Sequence, residues 1–489
     1  MISNDDEANH ICERKEKLIN KPVIHANHVS SQPGLRRGVV TFWELVYVSI
    51  SFTAPAIASL ATLSAAVAFA YGSEPLSMVI AIIAIALAAY PVYEFSRYVA
   101  SSGGYYRLIE RGLGTRPGAW AGWVYLLYSM IGATPFIYLE TALVVQYGLS
   151  LVGISLPSWS WIPIGLLDAA LALVLPYLGV KPSVRYLLWT GLAEMTALMV
   201  AGIVVLMHVP HPWDPLVFTP YYSPTGWVGV GTAIIFTFTA ISGWGTMVFF
   251  GIEAKAPREN IRRGLITVIG LYAVFFTFTI YYLIVGWGPS NASTYFQNFI
   301  PGLIEILKYG GPLLFWIIFA LTINSGFSDT IAIISAAARD MYTMAKDGAF
   351  PSVAYKVHPK YRSPHIALII NTLIGILLFL ALGLTMGPLN AFLVTGLWTG
   401  IGPPIEHTLL NIAFPLYTRR RRKFNVLHAV IPAIASAIYL YAIYATFATT
   451  AISTPVLVGV AFLVVWLIGT FIYSWRRPVI PRLEEGEEL

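Results

Sequence analysis

Residues 236–264 read FTFTAISGWGTMVFFGIEAKAPRENIRRG, and their apolar start is broken partway by Ser242, Gly243, Trp244 and Gly245. Glycine in a helix interior costs about 1 kcal/mol relative to alanine, so two glycines within three residues favour an unwound backbone. In lipid, an unwound backbone carries N–H and C=O groups without partners, which is tolerated only where these groups face protein, water or a ligand. The break is therefore a candidate binding site.

The composition is that of a membrane protein. Of the 489 residues, 57% are hydrophobic and 11% are charged, whereas a soluble domain has about 25% charged residues. An apolar run of about 20 residues is long enough to cross a bilayer as a helix. Twelve such runs, the predicted spans 1 to 12, cover residues 43–71, 75–98, 117–148, 157–179, 184–208, 226–252, 264–288, 311–338, 365–384, 388–416, 427–449 and 454–474.

The positions of the cationic residues predict the orientation of these spans. Every Lys and Arg except Lys308 falls in a tail or loop that twelve spans place on one side. Cationic loops stay in the cytoplasm, so we expect a multi-pass protein of the cell membrane with both termini inside. Residues 1–40 are interpreted as a mostly flexible cytoplasmic tail, and residues 476–489 as a second tail. The basic run at 419–423 is interpreted as an anchor beside anionic lipid and not as a nucleic-acid site.

Span 1 contains a second break, at Thr53, Ala54, Pro55 and Ala56. Pro55 removes a donor and clashes with the carbonyl four residues before it. The two breaks occupy corresponding places if spans 1–5 and spans 6–10 are copies of one unit, and a unit with an odd number of spans enters the membrane in opposite orientations. Paired interruptions of this kind point to a substrate site near the middle of the membrane.

The predicted fold is an all-α polytopic membrane protein with a five-plus-five inverted repeat, discontinuous helices 1 and 6, and two extra C-terminal helices. The proposed parts are repeat one at about 41–210, repeat two at about 225–417 and the extra helices within 427–474. Half-helix N-termini offer N–H groups to an anion and freed carbonyls accept from a cation, so a zwitterion matches the two breaks. The alternative for either break is a packing kink or a close helix contact, because Gly and Pro are common in membrane helices.

Four stretches resemble the amino acid–polyamine–organocation superfamily of secondary transporters. They are EFSRYVASSGGYYRLIERGLGTRPGAWAGW (94–123), FFGIEAKAPRENIRRGL (249–265), SAAARDMYTMAKDGAFPSVAYKVHPKYRSPHIAL (335–368) and NIAFPLYTRRRRKFNVLHAVIPAI (411–434). The resemblance covers about 41–475, and the loop after span 8 is its most specific part. It implies the repeat fold described above and the transport of amino acids or related amines.

The resemblance also implies a set of substrate-binding residues at the two breaks and in span 3. Thr53, Ala54 and Ala56 meet the substrate carboxylate, carbonyls around Thr239, Ala240 and Ser242 accept from its ammonium, and Ser129, Gly132 and Ala133 line the side-chain pocket. Gly243 and Trp244 belong to the unwound segment, where Trp244 is either a lid over the substrate or a packing or lipid-facing indole. The chain departs from the family at Pro55 and at Gly245, and these differences leave the identity of the substrate undetermined.

Acidic residues inside the spans are candidates for ion coupling, because a charge in the membrane is expensive. Glu194 lies deep in span 5, where many relatives have a lysine or a neutral residue, and a carboxyl there is suited to bind a proton or to ligate a cation. Asp329 in span 8 is the expected second partner, with the hydroxyls of Ser325 and Ser328 nearby, since spans 1, 5 and 8 meet at the cation site of this fold. The alternative is that either acid pairs with an arginine or caps a break.

Charges at the inner ends of the spans form a further group. Glu253 lies just after span 6, close in sequence to Arg258, Arg262 and Arg263. Such acidic and basic groups orient helix ends, and here they are also suited to latch an inner gate.

The leading hypothesis is a proton-coupled importer of amino acids that works by alternating access. An amino acid or polyamine exchanger, a sodium-coupled symporter and a nutrient sensor without net flux stay open as alternatives. An enzyme is not expected, because the H-E-x-x-H, G-x-x-x-x-G-K-[ST] and G-x-S-x-G motifs are missing. The single cysteine, Cys12, excludes a cysteine-cluster metal site, and no cofactor is expected beyond a coupling proton or sodium ion. The oligomeric state is not determined by the sequence.

Overall fold

The computed structural model describes residues 34–449, 453–477 and 479–481, and within these ranges the chain is almost entirely helical. The sixteen α-helices are α1 (Phe42–Phe52), α2 (Pro55–Ile57), α3 (Ser64–Ala70), α4 (Glu74–Phe95), α5 (Gly104–Leu113), α6 (Thr115–Leu126), α7 (Thr134–Ser150), α8 (Trp161–Tyr177), α9 (Val180–His208), α10 (Trp227–Ala240), α11 (Pro257–Trp287), α12 (Pro301–Asp347), α13 (His365–Met386), α14 (Pro388–Arg420), α15 (Leu427–Thr449) and α16 (Thr454–Arg476).

Most of these helices have the length and apolar composition of membrane spans. In the described part of the chain, nine are long and apolar enough to cross a bilayer, or ten if the bent pair in residues 42–62 is one span. The predicted spans at 157–179 and 388–416 correspond to α8 and α14, which are not among these nine or ten. The all-α prediction is confirmed, and the count of twelve spans stays a prediction.

The break predicted in span 1 is present. Helix α1 ends at Phe52, and Ala54 has a left-handed backbone with φ of 48°, a conformation that costs energy in any residue with a Cβ. Pro55 is the first residue of α2, where its missing N–H breaks no hydrogen bond of the helix. The chain then continues through a π-helical turn, Ala58–Thr62, and the segments on the two sides of the break are bent by 41°.

The break predicted in span 6 is also present, and it is longer than the sequence indicates. Helix α10 ends at Ala240, Ile241 leaves helical geometry with φ of −113° and ψ of 33°, and a 3₁₀-helix covers Ser242–Phe250. The interruption therefore does not end at Gly245: the whole inner half of the predicted span is wound more tightly than an α-helix.

The residues just before α1 and just after the 3₁₀-helix are tied together by backbone pairing. Val40 and Ala254 form an isolated parallel β-bridge, in which the Lys255 N–H donates to the Val40 carbonyl and the Val40 N–H donates to the Glu253 carbonyl, each at 2.8 Å. Residues 34–40, which the sequence analysis assigned to the N-terminal tail, therefore form the segment that precedes α1, and this segment is held by hydrogen bonds at Val39 and Val40. Residues 1–33 and 482–489 of the two predicted tails lie outside the described residues.

The long helix α12 contains a kink at its outer end. Gly311 interrupts its 47 residues with φ of 70° and ψ of −177°, at the start of the predicted span 311–338. The first turns, residues 301–310, form a separate helical segment that packs on the broken helix: a Cβ at Gly302 would lie 2.9 Å from the Cα of Leu60. This segment therefore packs against the π-helical turn that follows the break in span 1.

Candidate functional site

The two breaks lie directly against each other. A Cβ added to Gly243 would stand 2.5 Å from the Oγ1 of Thr53, 2.8 Å from its backbone nitrogen and 2.9 Å from the carbonyl carbon of Phe52. Only a residue without a side chain allows two backbones to approach this closely. Gly243 therefore brings the start of the 3₁₀-helix into contact with the end of α1.

Hydrogen bonds hold the two segments in this position. The Met247 N–H of the 3₁₀-helix donates to the Oγ of Ser49 in α1 at 3.0 Å. Thr53 is hydrogen bonded to the hydroxyl of Tyr272 from α11, and Tyr272 also donates to the Ser49 carbonyl at 3.2 Å. The groups are buried, so each bond replaces one that water would have made.

The amides expected to meet a substrate carboxylate all have protein partners in this conformation. The N–H groups of Thr53 and Ala54 donate to the carbonyls of Ile50 and Ser51, each at 3.0 Å. The Ala56 N–H is the first that α2 is able to donate after Pro55, and it reaches the Oγ of Ser325 in α12 at 3.2 Å. The half-helix N-terminus at Ala56 is thus already occupied by oxygen atoms of the protein.

The predicted substrate residues beyond α1 are only partly brought together at the breaks. Ala240 ends α10 and Ser242 and Gly243 begin the 3₁₀-helix, whereas the side chain of Thr239 lies outside the described part of the chain. In the π-helical turn Leu127–Ala133, a Cβ on Gly132 would meet the backbone nitrogen of Thr399 at 2.7 Å. Gly132 therefore contacts α14.

The neighbouring residues of the π-helical turn are also engaged. Ser129 donates to the Tyr125 carbonyl at 2.8 Å, while Thr134 donates to the Ser129 carbonyl at 2.8 Å. Ala133 is buried next to them. These contacts hold the turn in place, and they do not bring Ser129 or Ala133 into hydrogen-bonding contact with either break.

Tyr128 is the span 3 residue that reaches both breaks. Its ring lies 5.7 Å from that of Phe52 at the end of α1, and its hydroxyl is hydrogen bonded to Ser242. The sequence reasoning did not select it. The π-helical turn around it was the missing signal, because a π-helix turns its side chains away from the positions that regular α-helical spacing assigns.

Trp244 is buried, with 1% of its surface exposed. Its indole stacks on the imidazole of His407 in α14 at 5.1 Å, and His407 stacks in turn on Tyr439 of α15 at 5.3 Å. In this conformation the indole packs between helices.

Glu194 lies where α9, α12 and the break in α1 meet. Its Oε1 accepts from the Nδ2 of Asn324 at 2.9 Å, its Oε2 has no hydrogen-bond partner, and the Ser325 hydroxyl and the Ala56 amide are near enough to act on it electrostatically. Only 1% of the side chain is exposed. The carboxylate therefore lies beside the N-terminus of the half-helix, the place where a helix is best able to hold an anion.

Asn324 organises the surroundings of Glu194 and was not selected from the sequence. It accepts a hydrogen bond from the Tyr186 hydroxyl of α9, and it donates to Ser328 at 3.3 Å as well as to Glu194. Ser328 is also within 3.2 Å of the Thr190 hydroxyl. An amide inside an apolar span is a recognisable signal, since such groups are placed where they have partners.

Asp329 follows one residue later and is not hydrogen bonded to Glu194. It is 8% exposed, one of its oxygens has no hydrogen-bond partner, and Glu140, Asp168 and Glu194 act on it electrostatically. The structure thus brings Ser325 into contact with the break, and it leaves Asp329 among other acids on the same side of α12.

At the inner side, Glu253 pairs with a residue that the sequence did not suggest. Its carboxylate accepts from the Nε of Arg339 in α12 at 2.5 Å, and the Arg339 guanidinium lies over the Phe250 ring at 4.0 Å. Arg263 instead pairs with Glu259 at 3.1 Å, and Arg262 donates to the Tyr93 hydroxyl at 2.7 Å. The ion pair therefore joins the end of the 3₁₀-helix to α12.

The described residues contain no group of three or more His, Cys, Asp or Glu side chains that is able to hold a metal ion. What the site offers is a half-helix N-terminus, a buried carboxyl group and an irregular backbone that approach each other inside a bundle of apolar helices. A helix N-terminus attracts anions, so such an arrangement is suited to a charged group of a small molecule.

Comparison with known proteins agrees with this description. Residues 45–479 match the model of the family described as Amino acid permease. A branched-chain amino acid permease of Bacillus subtilis (strain 168) is 24% identical over 60% of this chain and 64% of its own length. A methylthioribose transporter of the same organism is 24% identical over 81% of this chain and 84% of its own length.

A branched-chain amino acid permease of Lactococcus lactis subsp. cremoris (strain MG1363) is also 24% identical, over 55% of this chain and 59% of its own length. The chain thus covers less than two thirds of the length of both branched-chain permeases. The family match covers most of the chain, from within α1 to beyond α16. The chain belongs to the amino acid permease family and is a multi-pass membrane protein of a family of transporters, not an enzyme.

Proposed function

We propose that the protein is a secondary active importer of amino acids in the cell membrane, coupled to protons and working by alternating access. The observation that carries the proposal is the contact of Glu194 with the Ala56 amide at the N-terminus of α2. The cationic loops support cytoplasmic termini, and the family supports a small-molecule substrate.

A five-plus-five inverted repeat of twelve spans is part of this proposal. Each repeat would begin with a broken helix, α1–α2 in one and α10 with its 3₁₀ extension in the other. Each would also end with two helices joined by a glycine with positive φ, Gly179 before α9 and Gly387 before α14. These matching features support two copies of one unit, as in other transporters with discontinuous helices.

The contact at Ala56 suggests how a proton and a substrate are coupled. A substrate carboxylate that binds to the half-helix N-terminus must share it with the Glu194 carboxyl group. Two negative charges at one buried N-terminus repel strongly, whereas a protonated Glu194 removes the repulsion. Substrate and proton therefore bind together. Above the pH at which Glu194 loses its proton, each further pH unit lowers substrate affinity by at most about tenfold.

The substrate class rests on the family and not on a shared substrate of the relatives. Two of the similar proteins are named for branched-chain amino acids and the third for methylthioribose. A thermal-shift screen across the amino acids, with methylthioribose included, would identify the ligand, because binding to the folded state raises the apparent melting temperature.

The test is uptake into proteoliposomes under an imposed pH or sodium gradient, with the ligand found in the screen. We expect an inward proton gradient to drive accumulation, and Glu194→Gln to lose accumulation while it retains exchange of internal for external substrate. Glu305→Gln is a matched control, since Glu305 is also a buried acid but its carboxyl group lies beside Gly286 of α11.

Three results would contradict the proposal in different ways. Uptake that is driven by sodium and does not depend on pH would show that the coupling ion is sodium and not a proton. Accumulation that survives in Glu194→Gln would remove Glu194 from the coupling. Binding without uptake or exchange under any gradient would favour a sensor.

A further inference from the structure

Two buried acids that the proposed mechanism does not use lie on the inner side of the breaks. Glu406 of α14 is 1% exposed and Asp340 of α12 is fully buried. Both oxygens of Asp340 and the Oε1 of Glu406 have no hydrogen-bond partner, and the two carboxyl groups act on each other electrostatically. Neither side chain forms a salt bridge in the described ranges.

Phenol groups form the walls around this pair. Tyr105 of α5, Tyr125 of α6, Tyr128 of the π-helical turn and Tyr439 of α15 all lie within electrostatic reach of Glu406. The hydroxyls of Tyr125 and Tyr439 are buried and have no partner. Two hydroxyl groups near Glu406 thus have no hydrogen bond, either to the carboxyl pair or to another group.

The walls connect the acid pair to the breaks. The ring of Tyr125 lies 5.8 Å from that of Tyr128, whose hydroxyl is bonded to Ser242. On the other side, Tyr105 contacts the imidazole of His407 at 4.8 Å, and a Cβ at Gly245 would lie 1.8 Å from the Tyr105 hydroxyl. The acid pair is therefore the next polar group inward from the unwound segment.

The charged groups near this pair have other carboxylates as partners. Arg339, which precedes Asp340, is paired with Glu253, and Arg107 of α5 forms a salt bridge with Asp347 at 3.0 Å. The imidazole of His407 is held between Trp244 and Tyr439, and its Nδ1 has no partner. The groups around Glu406 and Asp340 are thus phenols and one imidazole.

We propose that Glu406 and Asp340 form a second proton-binding site, which holds one shared proton while the inner path is closed and releases it when the path opens. Two ionised carboxylates with no cation in a dry site repel each other, and a proton between them removes this cost. When the inner path opens, water reaches both groups and solvates their charges, so the proton leaves to the inner side. The inference rests on the alternating access proposed above, but it requires neither a known substrate nor Glu194.

The test measures whether closure of the inner path depends on protons at this pair. Thr343 lies one turn from Asp340 on α12, is fully buried and is close to cysteine in size. In a Cys12→Ser background, Thr343→Cys is labelled with a maleimide across neutral pH in the full chain in nanodiscs. The same measurement is made with Glu406→Gln and Asp340→Asn added, and with Glu305→Gln added as a buried acid on the outer side.

We expect labelling to rise with pH more steeply in the parent than in the Gln/Asn variant, by up to about tenfold per pH unit for one proton. The comparison cancels the pH dependence of the thiol itself, and the Glu305→Gln protein keeps the slope of the parent. Equal slopes in the parent and the Gln/Asn variant would overturn the proposal. Labelling that is slowed by sodium or by an amine such as ethylammonium, and not by protons, would overturn it in favour of a cation site.

Infrared spectroscopy gives a second measurement in case the double variant does not fold. We expect Glu406→Gln alone to alter the C=O stretching band of a neutral carboxyl group in the spectrum of the closed protein, because the proton then stays on Asp340. A band that is unchanged in this variant and in Asp340→Asn would show that no proton is held there.

Discussion

Gly243→Ala is the substitution that most directly tests the contact between the two breaks. The added methyl carbon would lie 2.5 Å from the Oγ1 of Thr53 and within 2.9 Å of two backbone atoms of α1. A flexible side chain is able to move away from such a contact, but the backbone of α1 is held by its own helix. Gly243 does not have a positive φ, so the change introduces a clash without a backbone strain of its own.

The size of the effect follows from this geometry. An extra methyl group in a packed interior costs about 1–3 kcal/mol, because neighbouring atoms must shift. We expect the cost at the upper end of this range, since two of the three nearest atoms belong to backbone. A loss of this size corresponds to a decrease of about 5- to 150-fold in an equilibrium constant.

The assay compares the unfolding temperature and ligand binding of Gly243→Ala with those of Gly231→Ala. Gly231 lies in α10 of the same broken helix, and a Cβ there would meet no atom within 4 Å. Alanine at Gly231 should be neutral or stabilise the helix by up to about 1 kcal/mol. If Gly243→Ala matches Gly231→Ala in stability and in binding, the two breaks are not in contact, and the reasoning about the site fails.

Three further predictions concern the network around the site. Asn324→Ala removes the donor to Glu194, and an unsatisfied buried carboxyl costs about 1–3 kcal/mol, so urea unfolding should show a loss of that size, whereas Asn390→Ala, at an exposed position, should show little change. Arg339→Met leaves Glu253 buried without its partner and should cost about 3–5 kcal/mol, most of which Glu253→Leu in the same chain should restore; failure of that rescue would refute the pair. In the outer loop, the hydrogen bond that Tyr222 donates to Asp214, together with burial, raises the pKa of Tyr222 from 10.0 to about 12. Because the folded protein keeps this proton longer than the unfolded chain, the contribution is complete below pH 10.0 and is lost as pH rises toward about 12, which phenolate absorbance and unfolding of wild type and Tyr222→Phe would measure.

The fold was more predictable from the sequence than the site. Pro55 and the glycines at 243 and 245 identify both interruptions, because their effect on a helix is local and holds in any context. The partners of charged groups were not predictable in the same way. Glu253 is close in sequence to three arginines, yet it pairs with Arg339, which is distant in sequence and is brought near by the packing of α12.

The positions of side chains around irregular helices were also not predictable from the sequence. Ser129 and Gly132 were selected by a resemblance that assumes regular spacing in span 3, but the π-helical turn directs Tyr128 to the breaks and Gly132 to α14. Glu194 is hydrogen bonded to Asn324 of α12, a partner that the sequence did not indicate. Local backbone chemistry is written in the sequence, and three-dimensional partners depend on which face of each helix the packing presents.

In the proposed mechanism, Pro55 has a consequence opposite to the one its chemistry first suggests. A proline at the start of a half-helix removes one of the N–H groups that would hold an anion, so the site looks weaker than one with a glycine-rich turn. The N–H groups of Thr53 and Ala54 are used by the last turn of α1, which leaves the Ala56 N–H as the first of α2, already donated to Ser325 and close to Glu194. With several free N–H groups, a substrate carboxylate and an ionised Glu194 would each find a donor, and binding would depend little on protonation. With donors this scarce the two carboxyl groups must compete, and the competition makes substrate binding depend on a proton.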